Sequence, residues 1–325
     1  MKKRGLFGTV LLLGILLDPA ALHAQQTAGS SALPAPFPPL PPEHEQFLDQ
    51  VLALWEQRSQ AVERYRCAFQ RWEYDPVFGP RDTFKTYSEG VIKYAAPDKG
   101  LFRVDRIMEY TAPAQPGDKP PFQQREGELG EHWICDGKSI YEYDAINKQL
   151  IETQLPPSMH GQSIADGPLP FLFGANAEQI KRRYWIRPLP IPEDVEGEYW
   201  LEAYPRTRQD AANYLKVHVI IDHKDFLPKG LVIFDRDFDP TRNPARTTFS
   251  FQKREVNWSL AMQQLKFWHR AFYEPTVPPG WRKVVRRHEG PPGPQDQAPG
   301  ASAGAPAHAA GGAQATNPAA TPPRR

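Results

Sequence analysis

Cysteine, net charge and long apolar runs are what this sequence has least of. Only Cys67 and Cys135 occur in 325 residues, and 39 basic side chains against 38 acidic ones leave a net charge of +1. Two cysteines cannot staple a small disulfide scaffold. In an oxidising compartment they can form one bridge, closing a loop of about 70 residues worth roughly 4 kcal/mol in chain-entropy terms. The other reading is two separately buried thiols. Neither cysteine has a histidine at metal-ligand spacing. A charge this close to zero supplies no field to steer nucleic acid or an acidic surface, so no nucleic-acid partner is expected. The one uncharged apolar run, Gly5 to Leu17, is about 13 residues, against the ~20 that cross a bilayer as a helix.

That run has a specific setting. Met1-Lys2-Lys3-Arg4 precedes it, Asp18-Pro19 stops it, and Ala20-Ala21-Leu22-His23-Ala24 follows. A positive start, a short apolar middle and a small-residue exit are the layout of a secretory signal peptide over residues 1–24. A retained anchor is the alternative, and the length argues against it. Cleavage after Ala24 leaves Gln25 first, with no cysteine nearby to take a lipid anchor. The mature chain is therefore expected to be periplasmic or secreted and not membrane-spanning. The 36 prolines crowd towards the two ends. Residues 25–42 read as a stiff, extended Pro-rich linker. Residues 289–325, almost wholly Pro, Ala and Gly, bury too little apolar surface to offset chain entropy and read as a disordered tail. Residues 43–288 are one domain's worth of chain.

Within that domain the hydrophobic period changes once. Phe47, Val51, Leu54, Trp55, Val62 and Tyr65 recur at helical spacing, with Glu43 and Glu45 at the start and Arg64 and Arg66 at the end to complement the helix dipole. After Cys67 the period is two. In Leu101 to Tyr110 the alternation puts Phe102, Val104, Met108 and Tyr110 on one face; in Tyr214 to Asp222 it puts Leu215, Val217, Val219 and Ile221 together. Further strands are predicted at 67–74, 83–95, 122–136, 138–144, 148–155, 184–187, 199–205, 228–235 and 247–256, with turns at Asp136-Gly137 and Asn147-Lys148. Pro168 to Arg183 interrupts the meander as one or two short helices, the second capped by Asn176 and closed by Arg182 and Arg183. The fold class is α+β: an antiparallel half-open β-barrel of ten or eleven strands, with an N-terminal helix and a mid-chain helical lid.

The motifs offer little catalytic chemistry. His218 and His223 flank Asp222, but five residues apart on a strand they face opposite ways and cannot share one metal ion. Asp235-Arg236-Asp237-Phe238-Asp239 resembles the start of a calcium loop, yet Pro240 stands where glycine belongs and Arg246 where glutamate belongs. No nucleophile elbow, His-Glu-x-x-His helix, phosphate loop or dinucleotide fingerprint occurs. The chain is expected to be no enzyme and to carry no cofactor and no metal.

A resemblance adds to this. Glu89-Gly90-Val91-Ile92-Lys93-Tyr94 through Pro97, then Leu101-Phe102-Arg103-Val104, then Trp133 through Asp144 with its Asp136-Gly137-Lys138 hairpin, then Asn147-Lys148-Gln149-Leu150, form a succession similar to that of LolA-type periplasmic lipoprotein carriers. The chain resembles still more closely the uncharacterised planctomycete LolA-like domain family, through Leu54-Trp55-Glu56, Phe171-Leu172-Phe173-Gly174, Ala177–Tyr184 and Pro275 through Trp281. The likeness covers residues 44–286. It implies an apolar hollow for acyl chains and a hydrophobic small molecule, lipid or lipoprotein as partner. The lining candidates are Phe102, Val104, Met108, Tyr141 and Tyr143, with Leu169, Phe171, Leu172 and Phe173 as the lid. Plain core packing is the other reading of each. LolA-type carriers place a lid-latching arginine just before the proline of the second strand; here that position is Ala96, with Lys93 or Arg103 as substitutes. The alternative function is a periplasmic protein-interaction or envelope-sensor domain, its protein partner unknown, and the least favoured is an unrecognised hydrolase.

Overall fold

The alternating segments pair into a single large sheet. The computed structural model describes residues 33–111, 122–125, 130–157, 160, 171, 175–257 and 271–286. Helix α1 (Pro42–Gln60) leads into β1 (Arg64–Tyr74), β2 (Thr86–Ala95), β3 (Lys99–Tyr110), β4 (Phe122–Gln124), β5 (His132–Asp136), β6 (Ser139–Asp144) and β7 (Gln149–Gln154). Helix α2 (Ala177–Arg183), β8 (Tyr184–Pro188), β9 (Glu198–Pro205), the single turn α3 (Arg208–Ala211), β10 (Lys216–Asp222), β11 (Pro228–Phe234), β12 (Arg246–Val256) and β13 (Arg282–Arg286) follow. The thirteen-stranded sheet runs β13-β7-β6-β5-β3-β2-β1-β12-β11-β10-β9-β8, with β4 also paired to β3. It is open, with β13 and β8 at its two ends. All pairings are antiparallel except that of β13 with β7.

Two of these strands exceed the predicted ten or eleven. The segment 122–136 breaks into β4 and β5, and β13 escapes prediction because Arg-Lys-Val-Val-Arg carries charge on both faces. The first helix is shorter than its periodicity suggests. It ends at Gln60, and Arg64, Tyr65 and Arg66 already belong to β1. Its buried stripe is Leu48, Val51, Leu52, Trp55 and Ser59, while Phe47 and Leu54 stay exposed. Proline at its first turn and Glu43 and Glu45 beside it suit the helix start. Asn176 caps α2 as predicted, its Oδ1 accepting from the Gln179 amide at 2.8 Å. The signal segment 1–24 and the tail 289–325 lie outside the described residues.

The sheet buries apolar side chains on both faces. On the inner face, which α1 covers, Tyr65, Phe69, Ile92, Phe102, Val104, Leu201, Val219, Ile221, Leu231 and Phe251 join Leu52 and Trp55 in the main core. On the outer face, Leu101, Ile134, Tyr141 and Leu150 form a second cluster, packed by Phe272 and Tyr273. This two-sided burial explains why a long open sheet is not left with one apolar face in water.

The expected linker is partly docked. Leu33 donates its amide to the Arg206 carbonyl at 2.7 Å, Trp185 Nε1 donates to the Leu33 carbonyl at 2.9 Å, and the Phe37 ring meets Tyr204 edge-on. Tyr204 OH donates in turn to Glu202 at 3.3 Å, a carboxylate only 2 % exposed. Arg187 Nη2 and Lys216 Nζ each reach it at 2.6 Å, and His218 Nε2 lies at 3.1 Å. Phe37 covers the Arg187 guanidinium, and the Phe234 ring sits 4.8 Å from Lys216. Burial alone would raise the Glu202 carboxyl, but hydrogen bonds from His218, Lys216 and Arg187 overcome it and hold the group far below the usual carboxylate range.

Removing that carboxylate strands two cations. Glu202→Gln is expected to cost about 3 kcal/mol by urea unfolding at pH 7, the low end for a broken buried pair because Arg187 reaches water. The sign with pH follows from the depressed folded value. The stabilisation is complete above the unfolded glutamate value near 4.5 and drains as pH falls below it. Stability of the Gln variant should therefore fall less steeply than wild type below that pH.

Candidate ligand-binding face

One inner-face feature stands out for its chemistry. Phe249 on β12 lies 5.9 Å from Phe69 on β1, which stacks on Phe102 of β3 at 4.8 Å and 18°, which in turn stacks on Trp133 of β5 at 5.7 Å and 10°. β2 runs between β1 and β3, so the Phe69–Phe102 stack has to cross it. Gly90 makes that crossing open. It pairs with Phe69 on one side and Val104 on the other, and a Cβ there would sit 2.7 Å from the Phe69 ring and collide with the Arg103 carbonyl oxygen. The glycine of the Glu89-Gly90-Val91 motif thus has a steric role, leaving room for a ring rather than for a turn.

The row ends at Trp133, whose Nε1 is buried with no acceptor among the described residues. Trp55 Nε1, under α1, is likewise buried without one. Trp55 itself is fully buried against Phe171, and Phe171 packs on Tyr184 at 4.8 Å. Next to the ring row the inner face turns polar. Arg71, 3 % exposed, donates from Nε to Ser88 Oγ at 2.9 Å and from Nη1 to both Glu131 oxygens at 3.0 and 3.1 Å. Glu73 lies 3.7 Å from the same guanidinium. Burial pushes the Glu73 carboxyl up, against the pull of Arg71.

The predicted lining residues do not share one face. Phe102, Val104 and Phe171 belong to the inner core. Met108 does not, because a bulge between Glu89 and Gly90 in the β2–β3 register inserts one residue into β3. Val104 pairs with Gly90 and Arg106 with Glu89, so the alternation slips and Ile107, not Met108, rejoins the inner core. Tyr141 and Tyr143 lie on the outer face, in or against the second cluster. Leu169, Leu172 and Phe173 lie outside the described residues. Lys93 and Arg103 both register with outer-face positions, opposite Leu101 and Val91.

The disulfide is not made. Cys67 on β1 and Cys135 on β5 are free, with β2 and β3 between their strands. Three strand spacings separate them by about 14 Å, twice the reach of a disulfide. Burial pushes the Cys67 thiol up to about 11, and Cys135 Sγ rests 3.2 Å from the Asp98 carbonyl. His218 faces Glu202, whereas His223 Nδ1 lies 2.7 Å from the Gly197 carbonyl. Asp239 accepts from the Thr241 and Arg242 amides, which makes the acidic stretch a self-bonded turn. Among the described residues no cluster of three His, Cys, Asp or Glu is arranged to hold a metal.

Sequence reasoning missed Arg71, Trp133 and Glu202. Trp133 reads there only as part of a motif. Arg71 and Glu202 are hidden by the assumption that strand charges face water. The available signal was that Arg71 shares its alternation with Phe69; nothing local marks Glu202, whose partners Arg187 and His218 are brought across from it only by strand register.

No family model matches the chain, and neither does any curated protein. Solved structures do. An uncharacterised conserved protein from Thermus thermophilus is similar over 74 % of this chain and all of its own, at 10 % identity and a TM-score of 0.38. A LolA superfamily protein from Nitrosomonas europaea is similar over 64 % of this chain and 93 % of its own, at 11 % identity and a TM-score of 0.30. The Pseudomonas aeruginosa MucA/MucB complex matches over 67 % of this chain and 60 % of the matched chain, at 12 % identity and a TM-score of 0.33. The likeness to LolA-type structures is a distant one.

Gly90→Ala tests the crossing. The added methyl has backbone on one side and a ring on the other, so the variant should lose about 1–3 kcal/mol or more, as overpacked cores do. Thermal unfolding followed by near-ultraviolet circular dichroism should show both a lower midpoint and a changed aromatic signal. An unchanged signal would mean that the rings do not depend on the glycine.

Proposed function

We propose that the protein is an exported, non-enzymatic binder of a hydrophobic ligand, an acyl chain of a lipid or lipoprotein held against the inner face of a half-barrel. One observation carries this reading: the row of rings from Phe249 to Trp133 ends at a buried N–H with no acceptor among the described residues. A buried donor left unsatisfied costs about 1–3 kcal/mol. An acylated ligand supplies both missing parts. Its methylenes lie along the rings, and its ester or amide carbonyl accepts from Trp133 Nε1. Phe171, packed on Trp55 and Tyr184, belongs to the lid at the other side of the same core. Among the described residues no helix is long and apolar enough to cross a membrane. The docking alternative on the same fold has separate support at one sheet edge.

Displacement of an environment-sensitive fatty-acid probe tests the reading. Each added methylene contributes up to about 0.8 kcal/mol, so lengthening a competitor by two carbons should tighten it up to about fifteenfold. Trp133→Phe keeps the ring and removes the donor. It should weaken an ester-bearing ligand by about tenfold at most and leave a plain hydrocarbon probe unaffected. Native mass spectrometry showing an empty chain, together with no probe binding, would overturn the proposal.

A further inference from the structure

β13 is the terminal strand of the sheet formed by the described residues. It pairs with β7 on one flank through the register Arg282 to Gln149 through Arg286 to Thr153, and is the terminal strand on the other. No backbone partner among the described residues occupies that outer flank. Arg282, Lys283, Val285 and Arg286 are all exposed. An uncovered row of N–H and C=O groups is a template for one more strand.

The side chains narrow what that strand is. Arg282, Val284 and Arg286 share one face, and Lys283 and Val285 the other. Lys283 is already paired, its Nζ 2.6 Å from Glu152 Oε2. Arg282 and Arg286 make no ion pair among the described residues, and Val285 is 48 % exposed. A second copy of this chain fits badly. Two-fold antiparallel pairing would set Arg282 of one chain against Arg286 of the other and Lys283 against Val285, placing like charges directly across. An acidic strand meets the same two arginines with opposite charge.

We propose that β13 is a docking strand for an extended acidic peptide, with carboxylates four residues apart facing Arg282 and Arg286 and an aliphatic side chain facing Val284. Main-chain hydrogen bonds supply affinity, and the two arginines with the valine between them supply selectivity. The edge is separate from the ring row, so this docking does not rest on acyl binding. A protein that binds no fatty-acid probe can still bind the peptide.

The test uses the full chain and a fluorescein-labelled peptide with the core Glu-Thr-Val-Thr-Glu flanked by Gly-Ser, titrated by fluorescence anisotropy. Saturable binding that weakens with added salt is expected. Arg282→Glu with Arg286→Glu should weaken it about tenfold, and the same variant should bind the Lys-Thr-Val-Thr-Lys peptide better than wild type does. These side chains are exposed, and a thermal melt matching wild type verifies folding. N-methylation of one alternating set of peptide amides should abolish binding, while the other set is tolerated. Hydrogen exchange should slow over 282–286 on peptide addition. Absence of saturable binding would overturn the proposal, as would binding indifferent to charge reversal and to both methylation sets. A dimer that these substitutions dissociate would instead assign the edge to a second copy.

Discussion

The stacking of Phe69 on Phe102 over the gap at Gly90 is the contact that makes the inner face continuous. β2 separates the two strands that carry these rings, and any side chain at that position would divide the face in two. With hydrogen alone there, the main core extends from Tyr184 and Leu201 near one end of the sheet to Phe102 and Trp133 towards the other. The bulge that follows in β3 then places Ile107 on the same side. The proposed ligand site is the far end of this run.

A sheet of this extent has two faces to cover, and the chain covers them by different means. α1 and α2 lie on the inner face, tied to each other where Asn176 Nδ2 donates to Glu56 Oε1 at 2.8 Å. Among the described residues, the outer face is covered by segments without regular secondary structure. Residues 33–37 lie over the Glu202 ion cluster, and residues 272–281 over Tyr141 and Tyr143, with the Thr276 amide donating to Tyr143 OH at 3.0 Å. Both straps are proline-rich and lack regular secondary structure, and only residues 33–37 fall in the stretch whose composition reads as linker. Their packing depends on what the sheet presents to them, not on an intrinsic preference for structure.

Much of the architecture was legible. Alternation in Lys216–Asp222 is preserved as Val217, Val219 and Ile221 buried in a row, and Asn176 caps the helix it was expected to cap. The candidate site was legible only in part. Phe102 and Val104 lie in the inner core because β3 keeps register with β2 up to the bulge, and Phe171 reaches the same core against Trp55 and Tyr184. Met108 does not, because one inserted residue reverses every side chain beyond it, and alternation in a single strand cannot reveal a bulge made with its neighbour. Tyr141 and Tyr143 alternate perfectly well, but alternation says only that they share a face and not which face.

The sequence by itself determined the elements: one amphipathic helix, a succession of alternating strands, a capped second helix and a chain of near-zero charge whose motifs match no familiar catalytic layout. Those are local properties, fixed by the period of the apolar residues and by the chemistry of caps and turns. Only the tertiary structure decided which cysteines could meet, which face each tyrosine joined, that Arg71 and Glu202 are buried, and that β13 is the terminal strand on one flank among the described residues. Each of these depends on strand order and register across distant segments, and a pairing partner is not encoded in the residues of the strand that it joins.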